Sequence, residues 1–344
     1  MSAPLRILVT AVGGDFGQAL VKALRLGRPA IACHGCDMDG RGIGAAFVDS
    51  FQEVPRSDDP RYADELARLA SSLGVDAVVP GSEPEIATLS RLGEPPRVAG
   101  IPVVCQPARW LDTYGDKLVC MQALSGRVPL AAFADGSNAD AVARLAAEAG
   151  FPLIVKPRRS SGSRHVRMAH DRSELDRALR SMPRPFVQAA IDESGGEFSI
   201  GVFQGGGFFS AIAFRRELGP VGCSWYAETS TDPAVLEYGA AVAQAAGVRG
   251  SANIQVRKSA QGVRLLEINP RFSSLVAARA LCGFRDLEWS IDAALGRRTI
   301  PPGEPFKQIR FRRFFHELID VGEGFGRMGE WDPAFAQRLA EHRA

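Results

Sequence analysis

Strand and helix signals alternate through the first hundred residues of this chain and then give way to consecutive strands, which restricts it to a composite fold. Arg6 to Thr10 is a β-rich run, and Gln18 to Arg25 sets Leu20, Ala23 and Leu24 on one side of a helix. Ile31 to Cys36 predicts a second strand, Tyr62 to Leu73 a second helix and Asp76 to Pro80 a third strand, with a last short strand at Ile101 to Val104. Strand and helix in turn at this spacing mean a parallel sheet with helices on its faces. A helix carrying Asp112, Lys117 and Met121 follows. Val128 to Phe133 and Phe151 to Lys156 flank a helix over 138–149, and Ser173 to Met182 is another. From there the runs Phe186–Ala190, Phe198–Gln204, Phe208–Arg216 and two later strands are joined by Gly-rich turns, the pattern of an antiparallel sheet. The expected class is α/β followed by α+β.

With 344 residues, 46% apolar and 23% charged, the chain buries a large core and is not disordered. Basic residues outnumber acidic ones only 41 to 39, so net charge points to no nucleic-acid partner. The nearest approaches to a basic stripe are Arg158, Arg159 and Arg164, or Arg310, Arg312 and Arg313. Met1 to Arg6 lacks the basic-then-apolar pattern of a signal peptide, and no run approaches the roughly 18 apolar residues of a membrane span. A cytoplasmic protein with no membrane partner is expected. Six scattered cysteines imply no disulfide framework. Cys33-His34-Gly35-Cys36 has the gap of a zinc knuckle without a second ligand pair, so buried small residues after a strand are the expectation.

Gly13, Gly14 and Gly17 lie between the first strand and first helix, where small residues let backbone approach an anion. The spacing is Gly-Gly-x-x-Gly, short of the full dinucleotide fingerprint, and Asp37 and Asp39 compete for the acidic ribose position. A tight turn or a substrate-lining loop needs the same glycines.

A stronger constellation starts at Phe151-Pro-Leu-Ile-Val-Lys156-Pro157 and runs into a loop with Ser160, Ser161, Gly162, Ser163 and Arg164. A lysine at a strand end can set its ammonium over a polyphosphate, and the Ser/Gly loop can close over the same anion. The backbone of Gln188, Ala189, Ala190 and Ile191, just after a buried strand, suits the polar edge of adenine, and Glu197 suits ribose hydroxyls. Asn253-Ile-Gln255-Val-Arg257 and Leu266-Glu267-Ile-Asn269-Pro-Arg271 predict a hairpin. Glu267 and Asn269, two apart, share a face, and pairing Gln255 with Glu267 sets Asn253 opposite Asn269. Oxygen ligands from Gln255, Glu267 and Asn269 suit Mg²⁺ held jointly with phosphates, and Arg271 follows the strand end, placed to meet transferring phosphate.

These segments resemble the ATP-grasp superfamily, in particular the branch of ligases similar to the carbamoyl-phosphate synthase large subunit. The resemblance is carried by Ile154-Val155-Lys156-Pro157 with its loop, Glu197-Phe198-Ser199-Ile200, and Leu266 to Ser273, and also by Val79 to Glu83 and Asp116-Lys117. It covers roughly residues 5–300 and implies a Rossmann-like N-terminal (pre-ATP-grasp) domain over 1–110, an ATP-grasp N-terminal subdomain over 111–185 and a C-terminal subdomain over 186–344. It implies ATP and Mg²⁺, with Mn²⁺ as a substitute. Lys117 and Lys156 would contact phosphates, the Gln188 to Ile191 hinge adenine, Glu197 ribose, and Gln255, Glu267 and Asn269 the metal. Arg271 would stabilise phosphoryl transfer, and Gly13, Gly14, Ser82 and Glu83 would neighbour the acceptor. The implied reaction joins a carboxylate to an amine through an acyl phosphate, releasing ADP and phosphate. Small carboxylates and amines, amino acids among them, are the expected partners, with a homodimer as the expected assembly.

Two departures stand out. The Ser160 to Arg164 loop has a single glycine and is bracketed by arginines, and Gln255 stands where many relatives carry an acid. A neutral ligand cancels no charge, so a second Mg²⁺ would be held less tightly. The chain also stops soon after this region, so making carbamoyl phosphate itself is not expected. For the acceptor, Arg215 could clamp a carboxylate through its rigid fork, or Arg215 and Arg216 could simply pair with Glu217 or solvent. Arg310, Arg312, Arg313 and His316 read as a solvated face. An NAD(P)-dependent oxidoreductase, motivated only by Gly13 to Gly17, and a non-catalytic MgATP-binding regulatory protein are the rival readings.

Overall fold

The computed structural model describes residues 4–28, 30–160, 165–219, 222–302, 305–313, 318–320 and 325–327. The alternating first segment folds as expected into a parallel sheet, β1 (Arg6–Val9), β2 (Ala32–Asp37), β3 (Ser50–Glu53) and β4 (Ala77–Val79), in the order β3-β2-β1-β4. Ile7, Leu8 and Val9 are all fully buried because both faces are covered. Ile7, Val9 and Val79 pack on Leu20 and Leu24 of α1 (Asp15–Gly27), while Leu8 and Val78 pack on Leu66 and Ala70 of α2 (Tyr62–Leu73). Cys33 and Cys36, an odd number of residues apart on β2, enter these two opposite cores, and burial pushes the Cys33 thiol up to about 11.

Besides a 3₁₀ helix at Ile43–Phe47, two elements here were not anticipated. One is the edge strand β3. The other is α3 (Glu83–Leu89), a helix of 7 residues capped by the Ser82 side chain, which accepts from the Glu85 N–H. A small antiparallel pair, β5 (Arg97–Val98) and β6 (Ile101–Pro102), follows, and Val103 bridges Val78 in parallel.

The expected single helix around Asp112 and Lys117 is two, α4 (Ala108–Tyr114) and α5 (Lys117–Leu124). Asp116 breaks them apart because its carboxylate accepts the N–H groups of Leu118 and Val119 as an N-cap. The strand expected at Val128 to Phe133 is β7 (Phe133–Asp135) instead, since Pro129 cannot donate to a ladder. An antiparallel sheet, β7-β10-β8-β9, joins β7 to β8 (Leu153–Pro157), β9 (Arg167–Ala169) and β10 (Pro185–Ala189), backed by α6 (Ala139–Ala149) and α7 (Arg172–Ser181).

The third sheet is antiparallel with six strands. It contains β11 (Glu197–Gly205), β12 (Phe208–Leu218), β13 (Ser224–Ser230), β14 (Gly250–Ser259), β15 (Gly262–Asn269) and β16 (Arg310–Arg312), in the order β15-β14-β11-β12-β13-β16. Phe198, Ile200, Ala213 and Ile254 on one face pack against α8 (Pro233–Ala245), a helix absent from the sequence expectation. Phe203, Ile212 and Phe214 on the other face meet α9 (Val276–Cys282) and α10 (Asp286–Ala294). A further pair, β17 (Leu318–Asp320) and β18 (Phe325–Arg327), stands apart from these sheets. No helix among the described residues is long and apolar enough to cross a membrane.

Phe272, just before α9, and Val276, Leu287 and Ile291 of α9 and α10 also enter the core of the first sheet, tying it to the third. Behind that junction Arg279 and Asp286 form an ion pair at 2.9 Å with side chains 1% and 0% exposed. Asp286 also accepts from the Ser251 hydroxyl, and a Cβ on Gly201 would stand 2.3 Å from the Arg279 guanidinium. Removing one partner strands a buried charge, so Asp286→Ala is expected to lower unfolding free energy by about 3–5 kcal/mol in urea melts.

Candidate active site

The hairpin of β14 and β15 has the predicted register, with Asn253 opposite Asn269 and Gln255 opposite Glu267. The ladder then slips: Val256 faces Leu265, so Leu266 is an extra residue, a β-bulge. The bulge turns the Leu266 carbonyl out of the ladder, and it accepts from the Lys156 ammonium at 3.1 Å. Lys156 donates also to Gln188 Oε1 at 3.2 Å and stands 5.4 Å from the Phe186 ring centre. Burial lowers its pKa to about 8 although Glu267 pulls the other way.

Glu267 is the hub. Its Oε2 lies 3.2 Å from Lys117 Nζ, and its Oε1 accepts from Asn269 Nδ2 at 3.2 Å. Burial pushes this carboxyl up, but Lys117 and Lys156 outweigh burial and hold it at about 2. Lys117 reaches Glu267 because Asp116, its neighbour at the α5 cap, is gripped by Arg158 at 3.0 Å. The Lys117 ammonium donates also to the Ser160 carbonyl at 2.9 Å and hydroxyl at 3.3 Å. Ser161, Gly162 and Ser163 lie outside the described residues, as does His316.

Gln255 shares this face, but its Oε1 accepts from Arg216 Nη2 at 2.7 Å. The predicted metal trio is therefore brought together, with the Gln255 oxygen already engaged by a cation. Glu267 and the Asn269 amide oxygen fit Mg²⁺ shared with phosphates: both are hard oxygen donors, and the Lys117 ammonium beside Glu267 is itself a cation at that position.

At the hinge, the Ala190 N–H donates to the Pro152 carbonyl, and the Ile191 carbonyl accepts from Arg257 at 3.3 Å, while Ala189 ends β10. Glu197 begins β11 with both oxygens paired, Oε1 to Arg216 at 2.6 Å and Oε2 to Arg257 at 2.8 Å. A carboxylate accepts about four hydrogen bonds, so capacity for hydroxyls remains.

Arg215 is not part of this cluster. It sits opposite Phe198 on β12, on the α8 face and exposed, whereas Arg216 turns to the site. Arg215 therefore turns away from the cavities, because alternation separates two neighbours but does not say which turns inward. Arg271 is placed as expected at the end of β15, with Nε and Nη2 each 2.8 Å from Glu83 Oε1 and the guanidinium 5.2 Å from the Phe16 ring centre.

Two cavities meet at Glu83, Pro84 and Glu267. The larger, about 430 Å³, is bounded by Gly14, Asp15, Ser82, Ser199, Arg216, Gln255 and Arg271. The other, about 320 Å³, is bounded by Lys117, Ser160, Arg159 and Asn269. Gly14 and Ser82 thus border a cavity, whereas Gly13 donates its N–H to Asp37 Oδ2 at 2.7 Å and Gly17 lets α1 approach the Ala11 carbonyl, where a Cβ would stand 2.1 Å away. Asp37 serves the turn. Arg313 reaches toward Asp15 at 3.8 Å, a contact the sequence did not signal, and Arg310 and Arg312 are exposed.

Residues 193–316 match the family model described as ATP-grasp in the biosynthetic pathway with Ter operon. Over 181 residues the chain is 25% identical to a pyruvate carboxylase subunit of Methanothermobacter thermautotrophicus, covering 51% of this chain and 36% of that protein. Over 154 residues it is 29% identical to the carbamoyl phosphate synthase large chain of Thermus thermophilus, covering 39% of this chain and 14% of that one. The chain thus spans well under half the length of these curated relatives. Among solved structures, the biotin carboxylase domain dimer of Hydrogenobacter thermophilus 2-oxoglutarate carboxylase, in complex with MgADP, ADP and bicarbonate, superposes with a TM-score of 0.68 at 15% identity over 87% of this chain and 71% of that chain. N5-carboxyaminoimidazole ribonucleotide synthetase from Thermus thermophilus gives 0.70 at 17% identity over 88% and 82%. The chain therefore has the ATP-grasp fold behind a Rossmann-like N-terminal region. The relatives include both biotin-carboxylase and carbamoyl-phosphate-synthase types, so the expected branch is not singled out.

Glu267 has a folded pKa of about 2, below its unfolded value of about 4.3, so its ionic contribution is present above pH ~4.3 and lost as pH falls toward 2. Stability measured from pH 6 to 2 is expected to fall by roughly 3 kcal/mol on this account, and Glu267→Gln is expected to flatten that acid limb.

Proposed function

We propose that the chain is an ATP-dependent carboxylate–amine ligase that makes an amide or peptide bond through an acyl phosphate and releases ADP and phosphate. The observation that carries this reading is the Glu267 carboxylate, held ionised by Lys117 and Lys156 where two cavities meet. One cavity, on the Lys117 and Ser160 side, takes the polyphosphate; the larger one takes the carboxylate and amine. Support comes from the shared fold and from the MgADP and bicarbonate in the carboxylase relative. Bicarbonate is the smallest carboxylate such a site would accept.

Within this reading the chain's residues divide the work. Lys156, pre-placed by the Leu266 bulge and Gln188, puts a positive charge against the phosphates. Lys117 exchanges its carboxylate partner for phosphate oxygens, beside the Ser160 carbonyl and hydroxyl that already hold its ammonium. The hinge from Gln188 to Ile191 reads adenine and Glu197 takes ribose hydroxyls. Arg271, braced by Glu83, meets the transferring phosphoryl group. Mg²⁺ on Glu267 and Asn269 supplies charge neutralisation on the phosphates when bound. No side-chain nucleophile is required.

An ADP-release screen over amino acids, small carboxylic acids and bicarbonate with amines, with mass detection of product, tests the reading. MgATP binding without ADP release under any pair would leave a regulatory protein instead, and dinucleotide binding would favour the oxidoreductase. Glu267→Gln is expected to lower turnover at least a hundredfold at saturating Mg²⁺, of the order seen when one charge-stabilising group is removed; retention of most activity would remove Glu267 from this role. Anion binding selects the protonated form of Lys156, so ATP affinity is expected to weaken as pH rises through about 8. Titrations from pH 7 to 10 read this slope, and Lys156→Arg is expected to abolish it.

A further inference from the structure

A metal trio of Gln255, Glu267 and Asn269 contains a single carboxylate, and one of its two amide members, Gln255, is not vacant. Gln255 Oε1 accepts from Arg216 Nη2 at 2.7 Å, and the same guanidinium is locked on Glu197 Oε1 through Nη2 at 2.6 Å and Nε at 3.0 Å. Arg216 is 8% exposed at its side chain, so this is a built seat and not a surface contact. The strand register explains it: Ser199, Gln255 and Glu267 form one row, and Arg216 lies opposite Glu197 in the next row on the same face, so the guanidinium reaches Gln255 diagonally. A divalent cation on the Gln255 oxygen would sit about 2.1 Å from it, within about 5 Å of a guanidinium bonded to the same atom. Two cations at that spacing repel, and a neutral amide does nothing to offset them.

Granted the nucleotide reading above, on which this rests, we infer that Gln255 is the seat of Arg216 and not a metal ligand, so the site takes one divalent cation, and Arg216 supplies the second positive charge on the acceptor side. The bonds to Glu197 and Gln255 use Nε and Nη2 and leave Nη1 uncommitted by them. Arg216 borders the larger cavity with Arg271 and Ser199, and is not among the residues bounding the Lys117 cavity. Its charge is therefore offered to an anionic acceptor, the carboxylate being activated, and not to the nucleotide's polyphosphate.

Counting bound Mn²⁺ by electron paramagnetic resonance in the presence of saturating β,γ-imido-ATP tests this without turnover. The full chain is expected to hold one Mn²⁺, and the double variant Gln255→Glu with Arg216→Met two, because a carboxylate is restored and the competing cation removed. Two Mn²⁺ in the unaltered protein overturns the inference while leaving the nucleotide reading intact. One Mn²⁺ in the folded double variant also overturns it. No nucleotide-dependent Mn²⁺ in the unaltered protein removes the nucleotide reading itself. Should the double variant fail to fold, the count in the unaltered protein decides. Arg216→Met alone is expected to weaken binding of bicarbonate or acetate to the β,γ-imido-ATP complex at least about tenfold by calorimetry; unchanged anion affinity would sink its assignment to the acceptor.

Discussion

A half-buried carboxylate where two cavities meet needs cations and hydrogen-bond donors in place of the solvent it has lost, and Glu267 is that carboxylate here. Lys117 arrives from the N-terminus of α5, Lys156 from the end of β8, and Asn269 from the same strand two residues on. Three separate parts of the fold therefore converge on one charge. Like charges on two lysines this near each other would repel without it, which is why burial and Lys117 together depress Lys156 while Glu267 restrains the fall. The cluster is balanced by one carboxylate set against two ammonium groups.

Local irregularity does much of the positioning. A perfect β14–β15 ladder would have used the Leu266 carbonyl internally; the bulge frees it to fix the Lys156 ammonium. The Asp116 cap likewise breaks one helix into two and starts α5 with Lys117 at the mouth of a cavity. Across the molecule, α9 and α10 dock on the first sheet and bring Glu83 against Arg271, so the Rossmann-like region is a wall of the site and not an appendage. The buried Arg279–Asp286 pair behind this junction holds α9 to α10.

Much of this was legible in the residue order. Tyr62–Leu73 is a helix with the boundaries expected from periodicity, and the Asn253/Asn269 and Gln255/Glu267 register followed from a hairpin with a short polar turn. Elements without a strong period were missed. Helix α8, rich in alanine and buried along one side, lacks a sharp polar face, and α3 is too short to show one. Pro129 displaced a strand that hydrophobicity alone favoured.

By itself the sequence determined which residues share a face, because spacing along a strand fixes their relative phase: Glu267 goes with Asn269, and Arg215 goes against Arg216. Only the tertiary structure decided which face looks inward, since that depends on α8 covering one side of the sheet and the cavities opening on the other. The same holds for partners. Covalent order can place Glu267, Lys117 and Arg216 in the chain, but their pairing energies depend on distance and burial, and those exist only once sheets that are remote in sequence have packed.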